Sequence, residues 1–118
     1  MIIFTCTSGP EHAERATLPF VAANIAAVAG QRAVVLCTID AVRLGVRGGT
    51  DGVAAEGFPA LADLYRDYVA TGGEVWLCGA CTKPRGIGEE DLSTGTRIVG
   101  AAAVVEEIVA GARTVAFA

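Results

Sequence analysis

The sequence predicts an α/β fold in which helices cover both faces of a mainly parallel sheet. Three observations carry this reading. Short apolar runs without alternation, Ala33–Cys37 the clearest, have the pattern of strands buried on both faces. Segments with apolar residues at helical spacing lie between them, and such alternation folds as parallel strands joined by right-handed crossovers. The chain has 118 residues, of which 53% are hydrophobic and 19% charged. That excludes a disordered chain and fits one domain over residues 1–118.

The elements follow in order. Residues 2–7 are a short apolar run that ends at Ser8-Gly9-Pro10, a strand and a turn. A helix follows and stops near Gly30, with Leu18, Phe20, Val21, Ile25 and Val28 placed nearly all round it. Pro19 leaves its start open, because proline is tolerated in the first turn or at a kink. Ala33–Cys37 is the second strand. Asp40 to Leu44 can open a short helix, and residues 47–52 are rich in turn formers. Pro59 starts an amphipathic helix with Leu61, Leu64, Tyr65, Tyr68 and Val69 on one face and Asp63, Arg66 and Asp67 on the other. Gly72-Gly73 stops it. Glu74–Cys78 and Thr96–Val99 are the third and fourth strands. Ala101, Val104, Val105, Ile108 and Val109 again have helical spacing, with Glu106 and Glu107 outward, and residues 114–117 form a fifth strand.

Charge and targeting patterns narrow the function classes. The net charge is −4, and Lys83 stands alone as a lysine among nine basic residues, so no basic stripe exists for a nucleic-acid backbone. The first residues lack the basic segment of a secretory signal, and the longest uncharged stretch, 16–31, is too short and too interrupted to span a membrane. A cytoplasmic location is expected. There Cys6, Cys37, Cys78 and Cys81 stay mostly reduced.

Chemistry in a parallel sheet gathers at the carboxyl ends of strands, near a switch in strand order. Cys6, Cys37 and Cys78 fall at such ends, and Cys81 lies just beyond. Residues 74–87 are the most informative stretch. The Cys78 thiol leaves a strand into a small-residue turn, and the cations Lys83 and Arg85 follow within seven residues. A helix opening after Gly79, together with those cations, is the setting that turns a cysteine into a nucleophile. Gly79 and Ala80 leave room for a second thiol or a polysulfur group. The competing readings are an inert buried thiol for Cys78 and solvated surface charge for Lys83 and Arg85. Cys6 and Cys37 sit inside apolar β runs and read as core. His12, with Glu11, lies in the loop after the first strand and reads as an exposed loop histidine.

One CxxC and a single histidine do not supply the ligand pairs of a structural zinc site, so neither a metal nor a cofactor is expected. The pair also follows two helices and three strands, whereas a thioredoxin-like motif opens the helix after an early strand. Dithiol exchange and sulfur transfer through a persulfide both remain open on these grounds.

Several blocks in fixed order resemble the DsrE/DsrF-like family over essentially the whole chain. They are Ser8-Gly9-Pro10-Glu11, Glu14-Arg15-Ala16, Phe58-Pro59, Cys78-Gly79-Ala80-Cys81 with Arg85-Gly86-Ile87, and Ile98-Val99-Gly100-Ala101-Ala102. The resemblance implies a three-layer α/β/α domain around a five-stranded, mainly parallel sheet, in trimers or hexamers. It also implies an intracellular sulfur relay. Cys78 matches the cysteine that carries sulfane sulfur as a persulfide between donor and acceptor proteins. Cys81 has no counterpart in the TusD-type subunits and resembles a CxxC-containing subgroup. The alternatives are a dithiol redox protein using Cys78 and Cys81, and a non-catalytic oligomeric binding module.

Overall fold

The computed structural model of the chain describes residues 1–117. Its strands are β1 (Ile2–Cys6), β2 (Ala33–Cys37), β3 (Glu74–Cys78), β4 (Thr96–Val99) and β5 (Arg113–Ala116). Its helices are α1 (Ala13–Val28), α2 (Leu61–Ala70), the single turn α3 (Gly79–Thr82) and α4 (Ala101–Val109). The strands form one sheet in the order β4-β3-β2-β1-β5, and every neighbouring pair is parallel. From β1 the chain steps outward through β2 and β3 to β4, then returns to place β5 on the other side of β1. The strand order therefore reverses between β1 and β5, which leaves a crevice at their carboxyl ends.

The two faces of the sheet are covered unequally. On one face α1 and α2 pack over Phe4, Cys6, Val35, Cys37, Val75 and Leu77. The Phe20 ring stacks on Tyr65 at 5.1 Å and meets the Tyr68 ring edge-on. The Tyr68 hydroxyl, fully buried, lies 2.9 Å from the Ala33 carbonyl and 3.0 Å from that of Glu74, tying the start of β2 to the start of β3. On the other face a smaller core of Val34, Trp76 and Val99 lies under Ala103 and Val104 of α4. The Arg97 guanidinium lies 5.0 Å above the Trp76 ring.

The elements follow the sequence reading with informative differences. Pro19 sits in the second turn of α1, so the helix starts before it, and Pro19 has no N–H to donate to the Arg15 carbonyl. The segment after β2 is a 3₁₀ helix, Ile39–Gly45, rather than an α-helix. The helix expected from Pro59 begins at Leu61, with Leu61, Tyr65 and Tyr68 buried and the charged residues outside as expected. Glu107 does not simply face outward: its carboxylate takes two hydrogen bonds from Arg32, at 3.0 and 3.1 Å. No residue of α4 is buried, and Val105 and Val109 are 58% and 83% exposed. Ile25 and Val28 on α1 are exposed as well.

Candidate functional site

Three loops meet at the carboxyl end of the sheet, and an ion pair links two of them. Arg85 donates from Nε and Nη2 to the Asp40 carboxylate at 3.1 and 3.0 Å, and from Nη1 to the Cys81 carbonyl at 3.0 Å. Asp40 lies in the 3₁₀ helix after β2, while Arg85 and Cys81 lie after β3. The loop after β1 joins them by close packing. A Cβ at Gly9 would run into the Asp40 carbonyl, so glycine is what lets the two backbones approach. Glu11 holds that loop by accepting the Gly9 N–H at 2.9 Å.

The segment from Cys78 to Ile87 is built from its own hydrogen bonds. The Thr82 hydroxyl, buried, donates to the Gly79 carbonyl at 3.1 Å, and Ile87 N–H reaches the Thr82 carbonyl at 3.2 Å. Gly86 closes the turn at φ 68°, a left-handed conformation that glycine takes without strain.

The two cysteines of the motif stand on different footing. Both are free thiols and both are half-buried. Alternation along β3 puts Leu77 on the α1/α2 face and Cys78, with Trp76, on the α4 face. Cys78 joins neither core cluster among the described residues, whereas Cys81 packs against the α1/α2 core. Of the two, Cys78 is therefore the thiol that core packing does not use.

The cations expected to serve Cys78 also separate. Lys83 is exposed and pairs with no carboxylate among the described residues. Arg85 is engaged with Asp40 and Cys81, so its donors brace the loop. His12 sits exposed at the N-cap of α1 without a side-chain capping bond. No group of three or more metal-ligating side chains occurs among the described residues.

Sequence reasoning missed two residues here. Asp40, the partner of Arg85, lies 45 positions away in the chain, and no local pattern signals the pairing. Ile39 adopts φ 55° and is 52% exposed. A β-branched residue in the left-handed region costs about 1–2 kcal/mol, so the tight exit from β2 into Asp40 is held under strain. The position of Cys78 relative to the topology also differs from expectation. Cys6, not Cys78, borders the β1/β5 switch, and Cys78 ends β3 two strands away.

A family model, the DsrE/DsrF-like family, matches residues 1–117. The chain belongs to the DsrE/DsrF-like family. Two curated relatives of this DsrE/DsrF-like chain are uncharacterized archaeal proteins. One, from Methanopyrus kandleri, is 30% identical over 98 residues, covering 83% of the chain and 78% of the relative. The other, from Methanocaldococcus jannaschii, is 33% identical over 95 residues, or 80% of the chain. The chain spans about a third of that relative's length, 34%. Among solved structures, the YchN protein of E. coli superposes with a TM-score of 0.78 at 19% identity, covering 98% of this chain and 97% of that one. A protein of unknown function from Methanobacterium thermoautotrophicum gives 0.73 at 16% identity, with the same coverage of both chains. At these identities the structures establish the fold: a five-stranded parallel sheet layered between helices.

Proposed function

We propose that this chain is a sulfur carrier and that Cys78 holds sulfane sulfur as a persulfide. The observation that carries the reading is the half-buried Cys78 thiol at the end of β3, packed in neither core cluster, on a loop braced by Arg85 and Asp40. Membership of the DsrE/DsrF-like family supports a sulfur-relay role in general. In the transfer, the Cys78 thiolate attacks the terminal sulfur of a donor persulfide. The donor S–S bond breaks and the donor leaves as a thiolate. An acceptor thiolate takes the sulfur from Cys78 by the same exchange. Lys83 offers its charge to the incoming anion, and Arg85 positions the loop. The chemistry suits a reducing compartment such as the cytoplasm, with donor and acceptor proteins as partners.

Dithiol exchange through a Cys78–Cys81 disulfide is the second reading, favoured by their spacing of one turn within a CxxC. It is the weaker one because Cys81 must leave its contact with the α1/α2 core to meet a sulfur on the α4 side. Incubation with inorganic polysulfide followed by peptide mass mapping separates them. The carrier reading expects a gain of about 32 Da on the Cys78 peptide in wild type and in Cys81→Ser, and none in Cys78→Ser. Equal sulfur loading of wild type and Cys78→Ser refutes it.

A further inference from the structure

Two cysteines lie outside this site, and the sheet register brings them together. Cys6 and Cys37 are directly opposite each other on the neighbouring strands β1 and β2. Each is the last residue of its strand, and both side chains lie on the α1/α2 face in one core cluster. Adjacent strands run about 4.8 Å apart, within the Cα separation of about 4.4–6.8 Å that a disulfide spans. Beyond the pair, the Thr38 N–H still reaches the Cys6 carbonyl at 3.0 Å.

Both thiols are buried, Cys6 at 2% exposure and Cys37 at 0%, and they differ in that Cys6 borders a cavity. Cys6 lines a cavity of about 290 Å³ with Thr5, Ser8, Arg15, Pro19 and Phe117, in the crevice where the strand order switches between β1 and β5. That is the place where parallel sheets of this kind bind ligands. The cavity walls are partly polar and include one cation, Arg15, and its volume admits a small polar oxidant.

We propose that Cys6 and Cys37 are a second reactive sulfur site, in which Cys6 reduces a small hydroperoxide and Cys37 closes the disulfide. The Cys6 sulfur attacks one peroxide oxygen and the O–O bond breaks. The alcohol, or water from hydrogen peroxide, leaves with a proton, and Cys6 becomes a sulfenic acid. The Cys37 sulfur then attacks that sulfur, the S–O bond breaks, and water leaves. Two thiols lose two protons and two electrons, and the hydroperoxide gains them as alcohol and water.

The cavity borders Cys6 and not Cys37, which assigns the first step to Cys6. The neighbouring Cys37 thiol draws the Cys6 thiol below its ordinary range, against the opposing effect of burial. The same contact, with burial, pushes Cys37 up. The site is independent of the sulfur-carrier reading. Cys37 pairs in register with Leu77, and Cys78 points to the opposite face of the sheet.

The test uses the full chain with Cys78→Ser and Cys81→Ser, so that Cys6 and Cys37 are the two remaining thiols. One equivalent of hydrogen peroxide is added, then the protein is denatured and alkylated. The expected product is about 2 Da lighter, takes up no alkyl group, and yields a joined Cys6–Cys37 peptide that dithiothreitol separates. Adding Cys37→Ala stops the reaction at Cys6, where dimedone captures the sulfenic acid. The same peptides mapped in wild type keep the test valid if the double variant misfolds. Full alkylation of both thiols in folded, peroxide-treated protein overturns the proposal, as does oxidation of Cys6 that never engages Cys37.

Discussion

Removing the Asp40 carboxylate should loosen the Cys78 loop without unfolding the sheet. In Asp40→Ala, Arg85 loses both contacts to Oδ1 and keeps its bond to the Cys81 carbonyl. Hydrogen bonds to charged groups contribute about 1.5–3 kcal/mol when well shielded, and exposed ion pairs about 0–1. The Arg85 side chain is 22% exposed and that of Asp40 43%, so the pair falls between these limits. We take about 1 kcal/mol for its loss, which lowers the free energy of local opening by that amount and speeds amide exchange about fivefold. The effect should be confined to residues 79–88, where the Gly86 and Ile87 N–H groups bond within the loop. Hydrogen exchange followed by mass spectrometry reads it, with peptides from β1 and β2 as internal controls. Unchanged exchange across 79–88 would show that Arg85 does not brace the loop. A uniform rise over the whole chain would show that Asp40 supports global stability instead. In either case the role assigned to this ion pair is wrong.

Two further variants probe the frame around the site. Tyr68→Phe removes the hydroxyl that joins the starts of β2 and β3 at full burial, and should cost about 1–2 kcal/mol with little change in side-chain volume. Urea titration should show a lower midpoint at unchanged slope, and an unchanged midpoint would contradict the bridging role. On α4, Val105→Glu with Val109→Glu changes side chains that are 58% and 83% exposed, so the fold should lose less than about 0.5 kcal/mol per site. If those residues meet another copy of the chain, light scattering should show a fall in molecular mass. A mass equal to that of wild type would mean this face is not the interface.

Much of the fold was legible because local patterns carry it. A strand buried on both faces must be apolar without alternation, and Ala33–Cys37 is. A helix buried on one face must repeat its apolar residues at three and four, and α2 does so with Leu61, Tyr65 and Tyr68. The reading of α4 was less informative, because its spacing marks an apolar stripe but not what covers it. The structure leaves Val105, Ile108 and Val109 exposed and turns Glu107 to Arg32.

The candidate site divides in the same way. Cys78, Cys81, Lys83 and Arg85 lie within eight residues and were visible as one block. Their different roles were not, since these depend on contacts made through space. Strand alternation sends Cys78 to the α4 side, and the pairing with Asp40 occupies Arg85.

By itself the sequence determined the alternation of strands and helices, the apolar interior and the position of a thiol at each of three strand ends. These follow from residue type and period along the chain. The tertiary structure decided the strand order, the reversal beside β1, the meeting of Cys6 with Cys37, and the tie from Asp40 to Arg85. Those depend on which strands become neighbours, and neighbours in a parallel sheet are separated by whole crossovers in sequence. No local pattern encodes a contact between residues that only the closed sheet brings together.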